Sequence, residues 1–213
     1  MRCLSPSGSF HAAVLMQKPC RKHGRMVDCK HESQAYKSEF DEDRTDMTKV
    51  EILGENRFET CTKTRGASRA VIVRDGMILL IHEAGSDLWI VPGGGIEEDE
   101  TPETCCVREA EEETGDLVLP LQEFTTLFEY YEEYCYITHY FKCEVIGSGR
   151  MHLTEAEVHR GAEPKWIPLS EAMDIFSRHQ SYTDVSEEKR GIYLREYTAL
   201  QEYLKTQPQN TCF

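Results

Sequence analysis

The sequence predicts an α+β domain or an α/β/α sandwich. Three observations carry this. Strand-like and helix-like runs follow one another in the order hairpin, strand, helix, strands, helices. The stretch from 121 to 147 is dense in Tyr, Phe and β-branched residues, which suit a pleated, half-buried surface. Two segments, at 102–114 and 186–204, carry helix end signals or a helical apolar stripe.

The chain has 213 residues, enough for one domain with extensions or at most two small ones, and enough to bury a core. Hydrophobic residues make up 39%, with much of the deficit at the N-terminus. The net charge of -14 argues against a general nucleic-acid binder, which needs a basic stripe. It also means that a phosphate-bearing substrate meets repulsion unless a cation intervenes. No apolar run approaches the roughly 18 residues of a membrane span, and "FHAAVLM" is too short for a signal peptide and lacks a cleavage site. Nine cysteines at irregular spacing, two of them adjacent, do not form a disulfide framework. They read as free thiols of a reducing, cytoplasmic protein.

Residues 1–46 are polar, lack periodicity and end in the charge run "EFDEDRTD", so a disordered leader or a non-native start is expected there. Cys20, His23, Cys29 and His31 fall within it, but their spacing matches no common zinc pattern. The folded domain is expected over 47–206, with a tail at 207–213. "ASRAVIVRDGMILLIHEA" reads as a hairpin turning at Asp75-Gly76, a pair suited to a type I′ turn. "DLWIVPGGG" is a short strand stopped by Pro92 and a glycine run. A helix follows over Pro102–Thr114, with Thr101 as N-cap, Pro102 at N1 and Gly115 at C′.

Beyond it, Cys135 to Val145 alternates. Cys135, Ile137, His139, Phe141, Cys143 and Val145 share one face, and Tyr136, Thr138, Tyr140, Lys142 and Glu144 share the other. "HLTEAEVHRGAEP" reads as a loop with one helical turn. "KWIPLSEAMDIF" gives a short strand and then a helix capped at Ser170. The C-terminal helix places Tyr193, Tyr197, Leu200 and Leu204 on one stripe.

The chemistry concentrates in "GGGIEEDETPETCCVREAEEETG", Gly93 to Gly115, which holds nine acidic residues and a single basic one, Arg108. Like charges three or four apart on a helix repel. Glu109, Glu112 and Glu113 stand at i, i+3 and i+4, so three carboxylates share one face. Either that face is simply solvated or it surrounds a hard cation, because carboxylate oxygens are what Mg²⁺ prefers. Gly93, Gly94 and Gly95 precede the helix and let the backbone approach another group closely, as a phosphate-and-metal corner requires.

The spacing Gly94, five residues, Glu100, seven residues, Arg108-Glu109-Ala110, one residue, Glu112-Glu113, one residue, Gly115 resembles the Nudix box. Two aliphatic positions of that pattern depart here, as Ala110 and Asp116. The flanking pattern from about 67 to 170, including "WIVPGG", also resembles the family. The resemblance implies an α/β/α sandwich with a mixed sheet and an Mg²⁺- or Mn²⁺-dependent hydrolase. Such an enzyme would cleave a nucleoside diphosphate linked to another moiety. It implies Glu109, Glu112 and Glu113 as metal ligands and catalytic groups. Glu100 and Arg108 would form a structural ion pair, with Arg108 also orienting Glu112, and Cys105, Cys106 and Ala110 would face the core. The proton acceptor varies in the family; Glu109 qualifies, as do Glu155, Glu157 and Glu163, with Glu157 favoured.

The substrate classes left open are a nucleoside triphosphate, a dinucleoside polyphosphate and ADP-ribose or another nucleotide sugar. Tyr131 and Tyr134 lie near the position where dinucleoside polyphosphate hydrolases often carry a tyrosine, and an aromatic there could stack on a base, although tyrosine also suits a β-strand. His82, His139, His152 and His159 read as surface or satisfied core residues, and Trp89 and Trp166 as core or rim. Nucleic acid and membrane are not expected partners, and a homodimer is left open. A nucleotide sensor that does not catalyse is the alternative reading, and an isoprenoid diphosphate isomerase a more distant one.

Overall fold

The computed structural model describes residues 47–207. The expected leader at 1–46, the residues considered for zinc and most of the tail expected at 207–213 lie outside the described residues. The elements are β1 (Thr48–Leu53), β2 (Lys63–Arg74), β3 (Met77–Glu83), β4 (Leu88–Ile90), β5 (Gly93–Gly95), α1 (Pro102–Thr114), β6 (Asp116–Tyr131) and β7 (Tyr134–Ser148). They continue as α2 (Glu155–Arg160), β8 (Ala162–Pro168), α3 (Leu169–Ser177), a 3₁₀ turn at Arg178–Tyr182 and α4 (Glu187–Lys205).

The β2–β3 hairpin turns where Asp-Gly stands. Asp75 and Gly76 both adopt positive φ, 52° and 76°, as a type I′ turn requires. The open sheet runs β1-β6-β7-β2-β3-β4, with β5 paired to β2 and β8 to β3. It is mixed: β1 lies parallel to β6 and β2 parallel to β7, while the other pairs are antiparallel. The alternation of β2 sends Ala70 and Ile72 to one face and Val71 to the other. Ala70 and Ile72 pack with Cys106 and Ala110 of α1 and with Phe141 and Cys143. Val71 packs with Phe124, Leu127, Tyr140 and with Tyr193 and Leu200 of α4. The fold is therefore α+β with the sheet between helices, and both faces of the central strands are buried. In β7, Thr138 and Tyr140 are as buried as Phe141 because α4 covers the face that the sequence pattern leaves polar at its ends.

Two expectations need correction, and two elements go beyond what the pattern predicts. The segment after 152 forms a six-residue helix, α2, closed by a capping box between Thr154 and Glu157, and β8 begins already at Ala162. α3 starts at Leu169 and Ser170 does not cap it. The amide of Leu169 donates instead to Gly76 O at 2.9 Å, so a tertiary partner in the β2–β3 turn takes the place of a side-chain cap. The buried stripe of α4 runs through Tyr193, Glu196, Leu200 and Tyr203, whereas Leu204 is exposed and Tyr197 only partly buried. Finally, β1 is a strand that the pattern alone does not single out, since its pairing partner lies more than 70 residues away.

Candidate active site

α1 is well delimited. Thr101 accepts from the amide of Thr104 while Thr104 Oγ1 accepts from the amide of Thr101, a capping box made with two threonines. Gly115 closes the helix in the left-handed region with its amide on Glu111 O. The helix lies against β2 with Cys105, Cys106 and Ala110 fully buried. Burial raises the Cys105 thiol to about 12, so it is a packing group rather than a nucleophile. Cys106 and Cys143 approach to 3.6 Å between sulfurs as free thiols.

Arg108 ties helix to loop. Its Nε donates to Glu100 Oε1 at 2.6 Å and its Nη2 to Glu100 Oε2 at 2.8 Å, a bidentate pair. Hydrogen bonding to Arg108 holds the Glu100 carboxyl below its usual range. Nη2 also reaches Gly95 O at 3.2 Å, and Nη1 bridges Glu109 Oε1 at 2.8 Å and Glu112 Oε2 at 3.0 Å. One guanidinium thus fixes the glycine strand, the Glu100 turn and two of the three box carboxylates.

Glu113 is held from the other side, where the amide of Gly93 donates to its Oε2 at 2.8 Å. Burial pushes the Glu113 carboxyl up to about 8, against the Gly93 hydrogen bond, with repulsion from Glu109 and Glu157 adding to it. Burial also raises Glu109. The glycines are required by space. Gly93 has φ 145°, and a Cβ there would lie 2.7 Å from Arg69 Cα. A Cβ on Gly94 would lie 2.6 Å from Glu109 Oε2. Gly95 has room for one.

The donor chemistry fits a hard divalent cation. Three carboxylates on one helix face, two of them destabilised as anions by burial, gain from a positive charge, and the absence of a Cβ at Gly94 leaves Glu109 its place. Among the described residues no three acidic, histidine or cysteine side chains converge as a ready ligand set; Arg108 Nη1 bonds one oxygen each of Glu109 and Glu112, and the Gly93 amide bonds Oε2 of Glu113.

Glu157 is buried and lies within electrostatic reach of Glu113. Its Oε2 accepts from the amide of Thr154 at 2.7 Å, so it also caps α2. Glu155 is exposed. Glu163 is exposed and paired with Lys165 at 2.6 Å. Tyr131 and Tyr134 face each other across the end of the β6–β7 hairpin. Tyr131 packs against Gly191 of α4, and Tyr134 stacks on Tyr136 at 5.4 Å. Neither contacts the box carboxylates.

His139 is buried with its Nδ1 2.7 Å from Glu123 Oε1, and His82 stacks on Trp89 at 4.2 Å; His152 and His159 are exposed. Trp166 lies under the Arg74 guanidinium. Two charged residues that sequence reasoning passed over stand close to the site. Arg69 donates to the carbonyls of Val91 and Gly93, and Glu196 of α4 lies beside it. The available signals were an arginine inside an apolar strand and a glutamate on the buried stripe of α4.

The family description "NUDIX domain" matches residues 64–188, more than half of the chain. The chain belongs to the Nudix family. Among curated relatives of this Nudix chain, diphosphoinositol polyphosphate phosphohydrolase 3-alpha of Mus musculus is 29% identical over 106 residues, covering 50% of this chain and 63% of that protein. The mRNA-decapping protein g5R of African swine fever virus is 35% identical over 120 residues, covering 50% of this chain and 47% of that protein. A MutT-like protein of Streptomyces ambofaciens is 45% identical over 60 residues, 28% of this chain and 38% of that protein. The matches thus span between 38% and 63% of these relatives' lengths. Among solved structures, a UDP-X diphosphatase superposes with a TM-score of 0.47 at 18% identity, covering 86% of this chain and 74% of that one. No helix among the described residues is long and apolar enough to cross a membrane.

Proposed function

We propose that this Nudix chain is a divalent-cation-dependent pyrophosphohydrolase that cleaves a nucleoside diphosphate linked to another moiety by water attack on phosphorus. The observation that supports this most is the grouping of Glu109, Glu112 and Glu113 on one face of α1, beside a glycine strand that leaves room for the Glu109 carboxylate.

Mg²⁺ or Mn²⁺ held by Glu109, Glu112 and Glu113 would neutralise the diphosphate and lower the pKa of the attacking water. The chain's own groups do the rest. Arg108 locks the helix to Glu100 and Gly95 O, so the carboxylates are set before substrate arrives. A carboxylate takes the proton of the water as its oxygen bonds to phosphorus and the anhydride P–O bond breaks. Glu157, with Glu109 as the alternative, is the group we propose for this. Both are buried and act on Glu113, whereas Glu155 and Glu163 lie exposed.

The substrate classes this reading admits are nucleoside triphosphates, dinucleoside polyphosphates and nucleotide sugars. The names of the relatives add a diphosphoinositol polyphosphate and a capped RNA end to the compounds worth assaying. Tyr134 and Tyr131 remain the aromatic groups proposed to meet a base.

The test is phosphate and nucleotide release across such a panel in Mg²⁺ and in Mn²⁺, with Glu112→Gln in parallel. Turnover of one class that the variant loses supports the reading. Tight nucleotide binding with no turnover of any compound overturns it in favour of a nucleotide sensor.

A further inference from the structure

Two arginines and two glutamates lie together under α4, on the face of the sheet away from α1. Arg69 is 7% exposed, Glu129 3% and Glu196 0%, with Arg195 between them. Replacing buried ion groups of this kind by apolar side chains of similar volume is often neutral or stabilising. Packing alone therefore gives no reason for them, and their contacts do.

Arg69 Nη1 donates to Val91 O at 2.5 Å and to Gly93 O at 3.2 Å. These carbonyls flank the Pro92–Gly93 peptide, whose own carbonyl accepts from the Ala70 amide at 2.8 Å. The N–H of that peptide is the donor to Glu113 Oε2. On its other side, Arg69 Nε stands 3.6 Å from Glu196 Oε1, an ion pair too long for a hydrogen bond. Glu196 is fixed in turn by Tyr140 Oη, which donates to Oε2 at 3.1 Å, and by Arg195 Nη2, which donates to Oε1 at 2.8 Å. Arg195 Nη1 lies 3.8 Å from Glu129 Oε2. The chain of contacts thus passes from α4, through the sheet, to a carboxylate of α1.

We propose that Glu196 is a positioning residue for Glu113, acting through Arg69 and the Pro92–Gly93 peptide. This rests on the reading of Glu113 as a cation ligand. Glu196 stands on α4 beyond residue 188, where the match to the family ends, so this contribution belongs to the chain's own C-terminal helix. Residues that orient a metal ligand typically change affinity 10- to 100-fold when removed.

The experiment uses the full chain. Mn²⁺ binding is titrated by electron paramagnetic resonance for wild type, Glu196→Gln and Glu202→Gln, the last a glutamate of the same helix paired with Lys205. Amide exchange at Gly93 is followed in the metal-free proteins and referred to the amides of the β3–β8 pairing. Glu196→Gln is expected to weaken Mn²⁺ binding by about 10-fold or more and to speed exchange at Gly93 while the β3–β8 amides keep their rates. Glu202→Gln keeps wild-type values. A folded Glu196→Gln with unchanged Mn²⁺ affinity and unchanged Gly93 exchange overturns the proposal, as does a variant that only loses global stability. If Glu196→Gln does not fold, Tyr140→Phe decides. It removes one hydrogen bond to Glu196, and a several-fold weaker Mn²⁺ affinity supports the relay while an unchanged one overturns it. If wild type binds no Mn²⁺, the metal reading fails by itself, and Gly93 exchange alone decides the relay.

Discussion

Adjacent glycines of β5, the strand before α1, make opposite demands, and alanine at each position separates them. At Gly94 a Cβ stands 2.6 Å from Glu109 Oε2, where carbon and oxygen not bonded to each other ordinarily keep about 3.3 Å. Oε1 lies closer still and Cδ is 2.5 Å away, so the carboxylate must retreat by roughly 1 Å, yet it is 8% exposed and already bonded to Arg108. Overpacking of that kind costs about 1–3 kcal/mol, which in a domain of this size lowers Tm by roughly 3–10 °C. At Gly95 the nearest atom to the new Cβ is Arg65 Nη2 at 3.5 Å, an ordinary contact, and φ is not positive. Gly95→Ala should therefore stay within about 0.5 kcal/mol of wild type. Urea denaturation of both variants measures the first difference and Mn²⁺ titration the second, with Gly94→Ala expected to lose about 10-fold in affinity. Equal stability and equal Mn²⁺ affinity of the two variants would refute the claim that Gly94 makes room for Glu109.

Three further outcomes are expected. A double-mutant cycle of Glu100→Gln with Arg108→Met should give a coupling of about 1–2 kcal/mol, because the pair is bidentate but about a quarter exposed at Arg108; additivity within about 0.3 kcal/mol would show that the pair does not link loop to helix. In EDTA-treated protein, stability should fall from pH 5 to pH 8. Burial raises Glu113 to about 8 and Glu129 to about 7, both above the unfolded value, so the folded state binds more protons in that window. The slope is at most about 1.4 kcal/mol per pH unit per group, urea midpoints at four pH values measure it, and a rise across the window contradicts it. Leu200→Ala should cost about 2–5 kcal/mol, since Leu200 is fully buried under the sheet; a loss under about 1 kcal/mol in thermal unfolding would make α4 an appendage instead of a layer.

What the sequence reveals is mostly local. Thr101, Pro102 and Gly115 mark the ends of α1, and Asp75-Gly76 marks the hairpin, because caps and turns are decided by neighbouring residues. The box spacing places three carboxylates on one face for the same reason. Contacts distant in the chain are illegible. The parallel pairing of β1 with β6, the start of α3 on Gly76 O and the approach of Arg69 to Glu196 depend on register between segments that no local pattern encodes. The buried stripe of α4 departs from the apolar pattern because a buried glutamate looks like a solvent-facing one in sequence, without its arginine partners.

The most direct test of the account titrates Mn²⁺ against wild type and Glu112→Gln by electron paramagnetic resonance, with nucleotide hydrolysis followed in the same samples. The account predicts that wild type binds the ion and that turnover rises with its occupancy. Glu112→Gln should lose both together, by at least about 10-fold. Turnover that persists in EDTA, or a Glu112→Gln protein that binds Mn²⁺ as wild type does, would contradict it.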